Sequence, residues 1–317
     1  MLRLLIALCL ALPAAAQDYP NRPVRVVVAL APGGNADINA RVVAQALSAS
    51  LGQAFVVENR PAAGGTVAVE TVGRAAPDGY TLLVGARGSH VLNIGLYPQA
   101  PVNPLTGLDH ITIISESAMV AAVHPSLGVR NLAEFRALLR ERPGVVTFGS
   151  SGNGTTGHIA AALLLHELGV TAQHVPYRGS AAAFTDLSAG RIGFQVDTIS
   201  FIAESVRAGS VRGLVTGGRL RGPQIPDVPT GAEAGLPGFV ATTWTPVSAP
   251  PGTPPAILEL LSARIATALA EGPARERLLG LGNTIPTGMT PARTRAFIEA
   301  EAAKWLPIIR ATGATLD

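Results

Sequence analysis

Two glycine-rich turns, one in each half of the chain, carry the residues best suited to hold a ligand. The first is Ala31-Pro32-Gly33-Gly34-Asn35-Ala36-Asp37, after the apolar run 24–30. The second is Ser150-Ser151-Gly152-Asn153-Gly154-Thr155-Thr156-Gly157-His158, after the run 145–149. Each lies between an expected strand and an expected helix, so each should present free backbone N–H groups at a helix N-terminus. Such a place binds an anion without a cationic side chain. Two of them facing across a cleft could grip a small molecule with a carboxylate at each end. Gly34 and Gly154 are expected to bring backbone closest to the ligand, where a branched Cβ would block approach or forbid the turn.

Other chemistries need features that these turns lack. Gly152-Asn153-Gly154-Thr155-Thr156-Gly157 is formally G-x-G-x-x-G, but the next strand ends His174-Val175-Pro176-Tyr177, without the carboxylate that would hold a ribose. A plain glycine turn with Thr155 as helix cap remains the alternative there. The first turn has no G-K-[ST] and is no nucleotide loop. A serine nucleophile elbow needs G-x-S-x-G, and Gly149-Ser150-Ser151-Gly152-Asn153 misses it by one residue. His158 and His166 come with no paired cysteines and no H-E-x-x-H. No catalytic residue, metal ligand or cofactor is therefore expected.

Four further positions sit where a ligand could be met. Arg87 follows the third expected strand, with Ser89 in the same segment, and could grip a carboxylate through both nitrogens. A structural ion pair is the alternative for Arg87. Asp37 could cap its helix or accept from a ligand amine. Tyr177, in Tyr177-Arg178-Gly179-Ser180, could line the rim of the second lobe. Asp197, at a strand end, could accept from a ligand amine or hydroxyl, or cap the helix that starts near Ile199.

Strand-like and helix-like segments alternate along the chain, the pattern of an α/β fold. Strands are expected at 24–30, 54–58, 80–85, 110–115, 119–124, 145–149, 172–176, 192–196, 211–216 and 239–248. Helices are expected at 37–51, 66–75, 131–140, 155–168, 180–189, 199–208, 255–270, 273–281 and 291–312, with a Pro/Gly-rich connection at 93–108. At 317 residues the chain suits two lobes rather than one core. The second lobe is expected at 124–240, inserted between 17–123 and 241–317. The chain would cross between lobes near 120–123 and 242–247, which makes a hinge.

The N-terminus reads as a signal peptide over 1–16: Arg3, an apolar stretch too short for a stable membrane span, and Ala14-Ala15-Ala16 before Gln17. Cys9, the single cysteine, would leave with it. Formal net charge is +3, Lys304 is the one lysine, and aromatics are 4% of residues. The arginines are scattered, which argues against a nucleic-acid surface.

Several motifs together resemble one family. Tyr19-Pro20-Asn21-Arg22-Pro23-Val24, Ala31-Pro32-Gly33-Gly34, Val57-Glu58-Asn59-Arg60-Pro61 and Pro77-Asp78-Gly79-Tyr80-Thr81-Leu82 are similar to segments of the tripartite tricarboxylate transporter substrate-binding proteins, the Bug family. The similarity continues through Ser150-Ser151-Gly152-Asn153-Gly154, His174-Val175-Pro176-Tyr177-Arg178-Gly179, Pro226-Asp227-Val228-Pro229-Thr230, Glu233-Ala234-Gly235-Leu236-Pro237-Gly238 and Trp244. The resemblance implies a two-lobed periplasmic binding protein, type II-like, closing as a Venus flytrap. It implies a ligand carboxylate held by backbone groups and ordered waters on the turn matching 31–35, facing the turn matching 151–156 and the strand end matching Asp197. Leu30 replaces the family's usual aromatic, Val196 its usual Phe before the Asp, and Arg87 a small or hydroxyl residue.

The expected function is a monomeric periplasmic solute receptor. It would capture a small organic carboxylate and deliver it to inner-membrane transporter subunits. A sensor presenting the closed form to a membrane kinase is the alternative, and a periplasmic hydrolase a remote one.

Overall fold

The computed structural model describes residues 19–312, so the expected signal peptide lies outside the described residues. The chain begins with β1 (Val24–Val28), α1 (Asn35–Leu51), β2 (Phe55–Asn59), α2 (Thr66–Gly73) and β3 (Thr81–Val84). A π-helical turn, Gly88–Leu92, then runs into the short α3 (Asn93–Leu96). The expected loop at 93–108 thus begins as helix.

A single long strand, β4 (Asp109–Val123), follows. The sequence suggests a break between two strands here, because Glu116, Ser117 and Ala118 interrupt the apolar run. They are instead held by pairing with Trp244, Thr243 and Thr242. Next come α4 (Leu132–Glu141), β5 (Thr147–Ser150), α5 (Thr156–Leu168), β6 (Gln173–Pro176) and α6 (Ser180–Ser188). After them lie β7 (Phe194–Thr198), α7 (Ile199–Arg207), β8 (Arg212–Thr216) and β9 (Thr242–Ala249). The chain closes with α8 (Pro255–Ala270), α9 (Pro273–Gly280) and α10 (Pro291–Thr312).

Two sheets share β4. The first has the order β2-β1-β3-β9-β4, parallel among β2, β1 and β3 and antiparallel from β3 onward. The second uses the far end of β4, which pairs antiparallel with β7 on one side and β8 on the other, while β5 and β6 extend it in parallel. The change of sheet is abrupt. Ala118 pairs with Thr242 in the first sheet, and the next residue, Met119, pairs with Thr198 in the second. It falls ahead of the expected crossing at 120–123.

Each sheet has its own core. Val26, Val28, Val84 and Val247 of the first pack against α1 and α8 through Val43, Leu47, Leu261 and Ile265. Phe148, Phe194 and Val196 of the second pack against α4 and α5 through Phe135, Ala160, Ala161 and Leu164. The fold is therefore two α/β lobes joined by two strands. Strand C-terminal ends of both lobes open onto the space between them, where α/β ligand sites form.

Candidate functional site

The cleft between the lobes is lined by the starts of four α-helices. Gly34 and Asn35 come from α1, Thr155, Thr156 and Gly157 from α5, Gly179 and Ser180 from α6, and Thr198 from the start of α7. Ala86, Gly88 and Ser89, at the π-helical turn, complete the floor with Met119 and Thr243 of the paired strands. The first turns of helices have N–H groups without helical partners, and each N-terminus carries roughly half a positive charge. Among the described residues, no lysine, arginine or histidine lines this cavity, whose volume is about 40 Å³. Its one ionisable side chain is Asp197.

Asp197 is 7% exposed and accepts from the Thr198 N–H at 2.8 Å and Gln195 Nε2 at 2.9 Å. Burial raises its pKa, and hydrogen bonds from Ser180, Thr198 and Gln195 offset part of that rise. The residue occupying the N-cap position of α7 is Thr198.

The lobes touch across the cleft. Ser200 Oγ donates to Asn35 Oδ1 at 2.7 Å, the Gly88 N–H to Thr156 Oγ1 at 3.3 Å, and Gln224 Nε2 to the Leu279 carbonyl at 3.1 Å. A Cβ on Gly179 would stand 2.5 Å from the Ala31 Cβ of the opposite lobe.

The sequence-predicted residues divide into three groups. Gly34, Asn35, Ser89, Ser151, Thr155, Thr156 and Asp197 line the deep cleft. Gly152, Asn153 and Tyr177 line a wider outer cavity of about 300 Å³, which shares Leu30, Gly64, Ser151 and Thr155 with the deep one. Pro32, Gly33, Asp37, Gly154 and Arg87 line neither.

Most of the last group have a structural occupation. Asp37 is 3% exposed; its Oδ2 accepts from the Gly33 N–H at 2.9 Å and from Arg41, and its Oδ1 from Asn59 Nδ2 at 2.9 Å. Burial would raise this carboxyl, but the bonds from Arg41, Gly33 and Asn59 outweigh it and hold the pKa down. It closes the turn from behind, where neither the expected N-cap nor a ligand contact lies; the N-cap position belongs to Gly34. Gly33, at φ 79°, is the residue of this turn that needs glycine, whereas Gly34 at φ −81° is not conformationally restricted. The Gly154 N–H is already given to His158 Nδ1 at 3.2 Å.

Arg87 corrects the expectation of a cleft-facing cation. It is 4% exposed, and its side chain runs away from the cleft. Nη2 donates to Thr242 Oγ1 at 2.8 Å, Nε stands 3.5 Å from Glu301 Oε2, and the guanidinium lies 5.0 Å above the Trp305 ring. Glu301 also accepts from Trp244 Nε1 at 3.2 Å. Burial lowers the Arg87 pKa, opposed by Glu301 and Glu116, and burial raises that of Glu116. The sequence held no local sign of this, because Glu301 and Trp305 come from α10, far along the chain.

A Ser–His contact does exist below the second turn: Ser150 Oγ lies 2.7 Å from His174 Nε2. Ser150 is 1% exposed and lines neither cavity, and its hydroxyl also donates to the Gly152 carbonyl at 3.0 Å. His174 stacks on His158 at 4.0 Å and on Phe148 at 4.8 Å. The pair serves as a brace beneath the turn. Among the described residues no three of His, Cys, Asp and Glu gather as metal ligands.

Sequence reasoning missed Ala86, Gly88, Met119, Thr198 and Thr243. Met119 and Thr243 emerge only from strand pairing.

The fold and a cleft built from helix N-termini are those of a periplasmic solute-binding receptor. The chain belongs to the tripartite tricarboxylate transporter receptor family, whose model matches residues 39–314. It is 35% identical over 308 residues to BugT of Bordetella pertussis, covering 97% of this chain and 94% of that one. Among solved structures it is similar to MatC of Rhodopseudomonas palustris with bound malate, at TM-score 0.88 and 32% identity, covering 92% of this chain and 100% of MatC. A second R. palustris protein, solved with adipate, matches at TM-score 0.90 and 33% identity, covering 94% of this chain and 100% of that one.

Proposed function

We propose that this receptor captures a small organic carboxylate between its lobes, as a monomer without catalytic turnover, and hands it to the membrane subunits of a tripartite tricarboxylate-type transporter. Residues 1–16 serve as the export signal and are removed after Ala16. The lobe boundaries lie near residues 118–119 and 241–242. The observation that carries the reading is the convergence of four α-helix N-termini on a cavity lined by no cation among the described residues. A carboxylate gains from each N-terminus, by up to about 2 kcal/mol where partly buried. The N–H groups of Gly34, Asn35 and Thr156 and the hydroxyl of Ser151 hold it, while Asp197 accepts from a ligand hydroxyl or ammonium. The malate and adipate found in the two relatives fit this chemistry.

Isothermal titration against a panel of carboxylates tests this, with product analysis on each hit. Binding with unchanged ligand supports the receptor; turnover of a hit, or no binding across the panel, overturns it. Intact mass of the exported protein, expected to begin at Gln17, checks the signal peptide.

A further inference from the structure

The buried face of α1 is apolar with two exceptions. Ala36, Ala40, Val43, Ala44 and Leu47 pack toward the core, while Asp37 closes the preceding turn and Asn39 is 0% exposed. A buried amide costs free energy unless it is bonded, and an apolar residue would fill the same place without that cost.

The bonds of Asn39 form a relay. Its Nδ2 lies 3.2 Å from Asn35 Oδ1, one turn back along the helix, 2.7 Å from Ser115 Oγ and 3.1 Å from Thr245 Oγ1. Ser115 and Thr245 pair across β4 and β9, close to where the chain changes lobe. Asn39 Oδ1 accepts from Asn283 Nδ2 at 3.4 Å, and the same nitrogen donates to the Leu278 carbonyl of α9 at 3.3 Å. A carbonyl oxygen only accepts, so each amide orients the next. Leu278 fixes which end of Asn283 is the nitrogen. Asn283 in turn takes the Asn39 oxygen, and the Asn39 nitrogen is left facing Asn35.

Asn35 is where the relay reaches the cleft. It lines the deep cavity and is half-buried. Its Oδ1 is occupied twice, by Asn39 Nδ2 and, across the cleft, by Ser200 Oγ at 2.7 Å. Its Nδ2 has no hydrogen bond among the described residues. Turned over, the Asn35 amide would set its NH2 against the NH2 of Asn39 and leave an oxygen where a carboxylate must bind.

We propose that Asn39 is a positioning residue: by holding Asn35 Oδ1 it presents Asn35 Nδ2 as a side-chain donor to the bound carboxylate. The inference rests on the receptor reading and adds to it one donor and the residue that orients that donor.

The test is a double-mutant cycle read by calorimetric titration of the wild type, Asn35→Ala, Asn39→Leu and the double variant. The probes are malate, adipate, citrate, glutamate and benzoate, and the cycle uses the one that the wild type binds most tightly. Asn35→Ala should weaken binding about tenfold and Asn39→Leu about fivefold. In the Asn35→Ala background, Asn39→Leu should change affinity by less than about twofold, because the residue it acts through is gone. Asn39→Ala, which adds no bulk, takes the place of Asn39→Leu in the same cycle if the latter does not fold. A loss just as large in the Asn35→Ala background overturns the proposal and makes Asn39 a brace of the β4–β9 ladder. Wild-type affinity in Asn35→Ala, or in the folded Asn39 variant, overturns it as well and leaves the receptor intact. Absence of wild-type binding to every probe overturns the receptor reading together with it.

Discussion

The segment from Gly85 to Ser89 has two faces, and they hold charge in opposite ways. Toward the cleft it turns Ala86, Gly88 and Ser89, whose polar groups bond to one another and to Thr156 of the other lobe. Toward α10 it sends Arg87 into a cluster with Glu301, Glu116, Trp244 and Trp305. A backbone N–H at a helix start keeps its partial charge whether or not a ligand is present. A guanidinium in the same closed cleft would require a partner in both states, because an uncompensated buried charge costs several kcal/mol. The Arg87–Glu301 pair therefore braces the wall, while peptide dipoles face the cleft beside Asp197.

The most damaging change to the ligand side is a side chain where the lobes meet. Gly179→Val places a Cβ 2.5 Å from the Ala31 Cβ when the lobes close. Overpacking on this scale should weaken binding about 100-fold, and because Gly179 stands at φ 153°, a backbone conformation that strains a branched residue, thermal melting of the ligand-free protein should fall as well. Undiminished affinity would show that binding does not depend on this contact.

Arg87→Met attacks the bracing side. It leaves Glu301 facing an apolar chain and should cost about 3 kcal/mol in denaturant unfolding, with part recovered in Arg87→Met/Glu301→Gln. Dicarboxylates and monocarboxylates should weaken alike. A loss confined to dicarboxylates would put Arg87 back in the cleft and break the division drawn above.

Histidines extend the comparison, since they too stand behind the cleft. Burial, with His158 alongside, pushes His174 down to about 4, and burial with Arg295 nearby pushes His110 down to about 4. A histidine lowered in the folded state favours folding while neutral. The stability it contributes is full above its unfolded pKa of about 6.5 and is lost as pH falls through that range toward 4. Urea midpoints should therefore drop from pH 6.5 to 4.5, and His174→Phe should flatten part of the slope. A slope unchanged by His174→Phe would assign the loss elsewhere.

The smallest effect is expected at Gly33, which has positive φ but open space around its Cβ position. Gly33→Ala should cost about 1 kcal/mol of stability and leave affinity unchanged in titration. A large affinity loss would bring this exposed face of the turn into the site.

Local pattern revealed the parts of the site that local pattern builds. The turns before α1 and α5 follow from glycine, hydroxyl and strand–helix order, and β1, β5 and their helices fall within a few residues of expectation. What escaped notice depends on residues far apart in sequence. Glu116–Ala118 look like a break until β9 pairs with them. Arg87 looks free until Glu301 and Thr242 arrive. Asp37 looks like a cap until Arg41 and Asn59 surround it. Polar side chains are the hardest to place, because one buried partner decides which way they point.

The strand β4, which belongs to both sheets, has a mechanical consequence. Its residues on either side of the Ala118–Met119 step are pinned by ladders to β9, β7 and β8. The lobes therefore cannot slide past each other without tearing a ladder; they can swing about a short pivot whose few dihedrals lie between the pinned stretches. A swing of that kind leaves both cores intact, so hydrogen bonds from both lobes to one small anion would hold the two halves together without repacking either.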